Sequence, residues 1–185
     1  RHLLTHTAGL GYFFIHPEVL RYFGAVGMPA PGSRASVTMP LMFDPGDRWE
    51  YSVATDWVGL AIEAATGERL NDYLTTNLFA PLGMTKTAFR DKLPDDAARV
   101  HVRSAEGALS KVDVYLGGGE FDGGGGGITS TAPDYAQFVR MVLGGGELDG
   151  QRVLSRASIA EMSRDQVHPL RAGHMGTARS EEHTS

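Results

Sequence analysis

Apolar residues recur three or four positions apart in five segments of the chain, each with a helix start or stop signal nearby. The clearest pattern runs from 131 to 143, where apolar residues repeat over almost three turns. The predicted helices are 17–23, 57–65, 70–78, 131–143 and a final helix that starts at Ser155. The segment Arg1–His6 also has the character of the middle of a helix, so we predict helix there as well.

Several residues mark the ends of these predicted helices. Ser52 and Thr55 are candidate N-caps for the second helix, and Gly67 is its stop signal. Thr131 followed three residues later by Asp134 resembles a capping box, in which each residue bonds to the backbone of the other. Both Thr131 and Asp134 are therefore explained as helix-cap residues without any chemistry.

Strand signals are confined to one region between the third and fourth helices. Residues 99–103 alternate in polarity, Glu106 and Gly107 supply a turn, and 109–114 form the return strand of a predicted hairpin.

Charge and composition exclude several classes of function. The formal net charge is −5, from 17 basic and 22 acidic side chains, and no basic stripe is present that would bind a nucleic acid backbone. The chain has no cysteine, which excludes disulfides, thiolate metal sites and a cysteine nucleophile. The longest stretch without a charged residue, 2–17, is too short and too polar to span a bilayer.

The glycine runs suggest phosphate binding, and the pair His2 and His6 suggests metal binding. We favour a structural role for both features. The glycine runs lack both the phosphate-loop lysine motif and the dinucleotide-binding spacing, so we predict structural loops, with 123–127 allowing the backbone to pass close to the helices. His2 and His6 have the spacing of two ligands on one helix face, but no third ligand follows nearby. Packing or capping roles are favoured for both histidines.

Four segments in a fixed order carry the most specific information. They are Arg1–Leu10 (RHLLTHTAGL), Phe43–Ser52 (FDPGDRWEYS), Phe79–Met84 (FAPLGM) and Gly125–Tyr135 (GGGITSTAPDY). Together they resemble the serine β-lactamase-related family, which includes class C β-lactamases, D-alanyl-D-alanine carboxypeptidases and family VIII carboxylesterases. The resemblance extends from Arg1 to about Gln166.

This resemblance implies an α+β, β-lactamase/transpeptidase-like fold, of which the chain holds mostly the helical portion. The family's nucleophile is a serine in Ser-x-x-Lys, and its Tyr-x-Asn tyrosine matches Tyr51 here. A phenol has a reference pKa near 10, and a neighbouring lysine favours its ionised form. Tyr51 is thus the expected catalytic residue, taking the serine proton and returning it to the leaving group.

Departures from the family pattern refine the expected substrate. Val53 stands where the β-lactamase pattern has Asn, and valine offers a substrate amide no hydrogen bond. This favours small carboxylic esters, with β-lactams or D-alanyl peptides as the alternative and a non-catalytic binding relative as the alternative of another class. Tyr12, Phe13 and Phe14 either line an acyl pocket, which makes Tyr12 a candidate substrate-binding residue, or belong to the core.

Other family matches look architectural, and the family implies no metal or organic cofactor. His6, Gly9 and Asp134 belong to this architectural group. The only partner implied is a small-molecule ester or β-lactam-like substrate.

The two ends of the chain suggest that it is an internal piece of a longer gene. No Ser-x-x-Lys occurs in it, nor a Lys-Thr-Gly strand. We expect residues 1–178 to form part of a serine hydrolase domain and residues 179–185, which read like a translated sequencing adapter, to be non-native. On its own such a piece is expected to expose apolar surface and to lack hydrolytic activity.

Overall fold

The computed structural model describes residues 1–112 and 119–172, which form an α+β arrangement. The helices in this part of the chain are α1 (Pro17–Val26), α2 (Ala54–Thr66), α3 (Leu70–Leu74), α4 (Ala132–Leu143) and α5 (Arg156–Met162). The strands are β1 (Ala88–Phe89), β2 (His101–Arg103), β3 (Leu109–Lys111), β4 (Ile128–Thr129), β5 (Glu147–Leu148) and β6 (Gln151–Arg152). They pair as three separate two-stranded antiparallel ladders, β1–β4, β2–β3 and β5–β6.

Helix positions agree with the apolar periodicity. Helix α1 has Pro17 in its first turn, where the fixed φ of proline is already helical. Helix α2 stops at Gly67, whose φ of +75° lets its N–H bond to the carbonyl of Glu63 at 2.9 Å. Helix α3 continues into a wider, π-helical turn over Thr75–Phe79. The five helices predicted from apolar periodicity, those after residue 16, are therefore confirmed.

The predicted caps of α2 are wrong. The helix begins at Ala54, so Val53 occupies the N-cap position and provides no capping side chain. Ser52 instead lies against His6, with the serine hydroxyl 3.4 Å from the Nδ1 atom of the imidazole. The Ser52 hydroxyl, which the sequence pattern assigned to the helix end, therefore contacts the His6 side chain instead.

The prediction of helix over 1–6 is also wrong. The segment forms a series of turns, and His6 has a φ of +54°, which a right-handed helix does not allow. Its backbone is bonded to a distant segment: the N–H of Glu50 donates to the carbonyl of His6 at 2.9 Å, and the N–H of Gly46 donates to Thr7 at 2.8 Å. These long-range bonds fix the end of the segment, while the N–H of Thr5 still donates to the carbonyl of Arg1 at 3.2 Å in a single isolated turn.

The predicted hairpin is confirmed where the structure describes it. Strands β2 and β3 pair His101 with Lys111 and Arg103 with Leu109. Gly107 in the connecting turn has a φ of +89°, a conformation that suits glycine. Residues 113 and 114 of the predicted return strand lie outside the described residues, as do 173–185.

Two buried apolar clusters support the fold. The α2 cluster surrounds the start of α2 and consists of Ala8, Leu10, Val37, Val53, Ala54, Leu60 and Phe121. The α4 cluster packs below α4 and consists of Phe79, Leu82, Met84, Met141 and Leu148. The functional site described below lies on the α2 cluster.

Asp134 does more than complete a helix cap. Thr131 caps α4 by accepting the N–H of Asp134 at 3.3 Å, which is one half of a capping box. The buried Asp134 carboxylate is directed elsewhere, where it accepts the N–H of Lys86 and the hydroxyl of Thr87, both at 2.8 Å. The aspartate therefore joins α4 to the turn that precedes β1, confirming an architectural role.

We predict that Asp134→Ala lowers the free energy of unfolding of the full-length protein by about 3 kcal/mol, because the N–H of Lys86 loses its partner and the buried Thr87 hydroxyl keeps only Ser130. Thr131→Ala removes only the cap and should cost about 1 kcal/mol, and Thr131→Ser should restore that loss. Urea unfolding of the three variants measures the difference. An Asp134→Ala loss no larger than that of Thr131→Ala would contradict the tether.

Candidate functional site

A cleft of about 620 Å³ lies on the α2 cluster and is lined mainly by aromatic and other apolar side chains. The loop after Leu10, the segment 28–39, the start of α2 and the glycine run 123–127 form its walls. The three residues singled out in the sequence, Tyr12, Tyr51 and Val53, all line this cleft. A volume of this size suits a small-molecule ligand.

Tyr51 is half-buried in the cleft wall and packs between two other rings. Its ring centroid lies 4.9 Å from that of His6 and 5.4 Å from that of Tyr12. The backbone on both sides is fixed, since the N–H of Glu50 donates to the His6 carbonyl at 2.9 Å and the N–H of Ser52 donates to His6 Nδ1 at 3.3 Å. Tyr51 is thus held on both sides by the segment that carries His6.

His6 is an architectural residue, as expected. Its Nδ1 accepts from the N–H of Ser52, which assigns the imidazole proton to Nε2. Partial burial lowers the pKa of His6, so the ring remains neutral in this role. Gly9 is architectural for a different reason: a Cβ there would lie 2.3 Å from the carbonyl oxygen of Phe43.

His2 has a local hydrogen-bonding role. Its Nδ1 lies 2.9 Å from the hydroxyl of Thr7. Within residues 1–112 and 119–172, no group of three histidine, aspartate or glutamate side chains is placed to hold a metal ion. The structure thus gives the two histidines hydrogen-bonding partners within the protein.

Val53 contributes an apolar surface to the cleft. It is 4% exposed, belongs to the α2 cluster and stands one residue before the first turn of α2. Its side chain has no hydrogen-bonding atom, so this part of the wall presents only methyl groups to a ligand.

Tyr12 lies between Tyr51 and a stacked phenyl ring. Its centroid is 4.8 Å from that of Phe14, which in turn meets Phe13 edge-on at 5.4 Å. Burial, followed by the charges of Asp56 and Tyr51, raises the pKa of Tyr12, so its phenol stays protonated at neutral pH. Phe13 and Phe14 are exposed and line the cleft, and neither belongs to the two buried clusters.

Asp56 is a cleft residue that the sequence analysis missed. It lies in the first turn of α2, and its Oδ1 accepts the N–H of Gly125 at 3.0 Å. Burial raises its pKa, while the N–H groups of Gly125 and of Asp56 itself act in the opposite direction. In the part of the chain that the structure describes, no basic side chain lies within ion-pair distance of this carboxylate. The sequence signal that could have identified Asp56 is its spacing: it lies three positions after Val53, which places the two residues on the same side of the helix.

The glycine run 123–127 packs directly on the start of α2, as predicted. A Cβ on Gly124 would lie 2.3 Å from the carbonyl oxygen of Thr55, and one on Gly125 would lie 2.9 Å from Oδ2 of Asp56. Only residues without a side chain allow this approach. The run thereby forms part of the cleft wall.

Comparison with known proteins identifies the family. The family model for beta-lactamases matches residues 1–180. This chain belongs to the beta-lactamase family. The membership confirms the resemblance carried by the four sequence segments, and the match continues beyond Gln166, to which that resemblance extends.

Relatives in the beta-lactamase family include acyltransferases and an esterase. The chain is 37% identical over 153 residues to monacolin J acid methylbutanoyltransferase of Aspergillus terreus, covering 77% of this chain and 37% of that protein. It is 31% identical over 180 residues to lovastatin esterase of Penicillium rubens, covering 90% of this chain and 44% of that protein. The chain spans less than half the length of these curated relatives.

Solved structures in the family share the fold. The LovD6 mutant of simvastatin synthase from Aspergillus terreus superimposes with a TM-score of 0.77 at 34% identity, over 91% of this chain and 42% of that chain. The expected α+β, β-lactamase/transpeptidase-like fold is therefore confirmed.

No helix in the described part of the chain is long and apolar enough to cross a bilayer.

We predict a pH-dependent effect of Asp56→Asn on stability. Because burial raises the pKa of Asp56, its ionisation opposes folding: the contribution is most favourable below the ordinary aspartate pKa and is lost as the pH rises through the raised folded value. Asparagine cannot ionise and retains an oxygen for the N–H of Gly125. The Tm of Asp56→Asn relative to wild type should therefore increase by a few degrees between about pH 4 and about pH 8.

Asp56→Ala is the matched control in the same full-length protein. It also cannot ionise, so its Tm difference should follow the same pH trend, but it should be less stable than Asp56→Asn throughout because the bond to Gly125 is lost. A Tm difference between Asp56→Asn and wild type that stays constant with pH would overturn the prediction.

Proposed function

We propose that the full-length protein is a serine hydrolase that acts on small carboxylic esters through an acyl-enzyme, with Tyr51 as its general base. The observation that carries the proposal is the position of Tyr51, half-buried in the wall of an apolar cleft beside Tyr12 and Val53. The esterase and acyltransferase among the relatives support acyl transfer as the reaction class. Because the chain contains no Ser-x-x-Lys, we assign the nucleophile and its lysine to the rest of the parent protein.

The proposed reaction uses the phenol of Tyr51 twice. As the serine Oγ attacks the ester carbonyl carbon, its proton passes to the Tyr51 phenolate oxygen, which the lysine stabilises. When the tetrahedral intermediate collapses, the bond to the leaving alcohol breaks and that alkoxide takes the proton from Tyr51. Water then attacks the acyl carbonyl carbon while Tyr51 again accepts a proton. The bond to the serine Oγ breaks, Oγ takes that proton from Tyr51, and the acid is released.

Tyr12 has a different proposed role from Tyr51. Because burial and the nearby Asp56 charge raise the pKa of Tyr12, its phenol keeps its proton and serves as a hydrogen-bond donor. Its ring also forms part of the apolar wall with Phe14. We therefore assign substrate binding to Tyr12 and proton transfer to Tyr51.

The character of the cleft wall favours esters over amides. Val53 presents methyl groups where an asparagine would bind a substrate amide, and the walls around it are mostly apolar. An ester has no amide N–H, so it loses no hydrogen bond when valine stands in place of asparagine at position 53. β-Lactam or D-alanyl peptide hydrolysis is the alternative within the same chemistry.

A second candidate is acyl transfer to an alcohol instead of water. The observation that favours it is the 37% identity to a protein named as a methylbutanoyltransferase. The acyl-enzyme step is the same, and only the group that attacks it differs. Product analysis with an added alcohol separates the two: a new ester indicates transfer, whereas free acid alone indicates hydrolysis.

We predict that Tyr51→Phe lowers kcat for p-nitrophenyl butanoate by about 10²–10⁴-fold, because it removes the proton acceptor and keeps the ring. Tyr135→Phe makes the same chemical change on the exposed face of α4, outside the cleft, and should leave kcat unchanged. Steady-state kinetics of the full-length protein measure both. Undiminished activity of Tyr51→Phe would exclude Tyr51 as the base, and a full-length protein without ester turnover would favour a binding relative.

We predict that Val53→Asn raises the ratio of kcat/KM for the β-lactam nitrocefin to kcat/KM for the ester by about tenfold, the value of one added hydrogen bond. Val53→Leu has a similar size without the amide and should leave the ratio unchanged. Wild-type nitrocefin turnover at a rate comparable with ester hydrolysis would argue against the ester assignment.

A further inference from the structure

His16 connects the two segments that carry the cleft tyrosines, although it does not line the cleft itself. It is 8% exposed and immediately precedes α1. Its Nδ1 lies 3.0 Å from the backbone nitrogen of Tyr12, and its Nε2 lies 2.9 Å from Oε2 of Glu50. Glu50 directly precedes Tyr51 in the sequence. One imidazole ring therefore spans the segments of both tyrosines.

The hydrogen-bonding groups define the role of each ring nitrogen. The N–H of Tyr12 can only donate, so Nδ1 of His16 accepts and the ring proton is on Nε2. The Glu50 carboxylate, which also lies 3.4 Å from Nε of Arg48, accepts that proton. In this tautomer, both nitrogens are satisfied by partners from two different segments.

The surrounding backbone is adapted to this arrangement. The N–H of His16 donates to the carbonyl of Tyr12 at 2.8 Å, which closes the turn between them. A Cβ on Gly11 would lie 2.8 Å from Nδ1 of the imidazole, so the glycine allows the ring to approach the Tyr12 backbone. On the other side, the N–H of Glu50 is bonded to His6. The histidine is thus fixed at both of its contacts.

We infer that His16, oriented by Glu50, is a positioning residue that sets the separation of the Tyr12 and Tyr51 rings for acyl transfer. The inference rests on the proposed function, in which Tyr51 moves the proton and Tyr12 contacts the substrate. The two rings lie 5.4 Å apart, and a small displacement of a catalytic group is enough to slow a reaction markedly. Since each nitrogen serves a different tyrosine, the two contacts have separable kinetic consequences.

The test compares two variants of the full-length protein that each retain one contact. In His16→Asn, the side-chain oxygen replaces Nδ1 and keeps the Tyr12 contact, but the Glu50 contact is lost. We expect kcat for p-nitrophenyl butanoate to fall about 10–100-fold with KM unchanged, because Tyr51 is displaced. In His16→Gln, the longer amide reaches Glu50 and loses Tyr12, so KM should rise about tenfold while kcat is retained.

Variants of Glu50 provide the matched control. Glu50→Ala should reproduce the loss in kcat of His16→Asn, and the double variant should show no further loss, because both remove the same contact. Glu50→Gln keeps an acceptor oxygen for Nε2 and should retain most of the wild-type kcat. Titration of active sites corrects every rate for the folded fraction, so a purely structural role would leave the corrected kcat and KM at wild-type values and overturn the inference.

A measurement that does not depend on catalysis separates this inference from the proposed function. With only tyrosine rings protonated, the full-length protein should show a nuclear Overhauser effect between the rings of Tyr12 and Tyr51, and the effect should weaken in both His16 variants. An unchanged effect in both variants would overturn the positioning role whatever the activity. Activity retained by Tyr51→Phe would instead overturn the proposed function.

Discussion

The cleft depends on one contact between two stretches of backbone. The glycine run 123–127 lies on the first turn of α2, so close that a Cβ on Gly124 would be 2.3 Å from the carbonyl oxygen of Thr55. The helix contributes a glycine of its own, because a Cβ on Gly59 would lie 3.3 Å from the nitrogen of Gly124. Asp56 then fixes the run by accepting the N–H of Gly125. Because glycines let the two backbones approach this closely, the run and the start of α2, with Val53, together line the cleft.

Local patterns account for the parts of the fold that the sequence predicted correctly. Helices α1, α2 and α4 follow apolar spacing and end signals that lie within the same segment, such as Pro17 and Gly67. The prediction for residues 1–6 failed because His6, at the end of the segment, adopts a positive φ and its carbonyl is bonded to the N–H of Glu50, and no pattern within the segment records that partner. The capping prediction for Ser52 failed for the same reason, since His6 lies 46 residues away.

In the candidate site, too, the residues found from the sequence carry a local signal, whereas the one that was missed depends on a distant partner. Tyr51 and Val53 were found because a family motif places them two positions apart, and the structure puts both on the cleft with Tyr12. Asp56 was missed because its partner, Gly125, is 69 residues further along the chain. Periodicity alone left Phe13 and Phe14 undecided between pocket and core, since the aromatic pattern is the same in either case. The three-dimensional structure decides between the two, because both rings are exposed and line the cleft.

Val53 shows how one residue joins the local and the chemical requirements. A valine at the N-cap gives up about 1 kcal/mol that a serine or asparagine would contribute to α2. In its place the side chain is buried in the α2 cluster, and burial of a valine contributes about 1.5–3 kcal/mol. Valine at position 53 is therefore at least neutral for stability compared with serine or asparagine. It also leaves this part of the cleft wall without the side-chain amide that asparagine would provide. Because stability does not require asparagine here, the residue can be set by the ligand, and a valine fits the ester substrate that we propose.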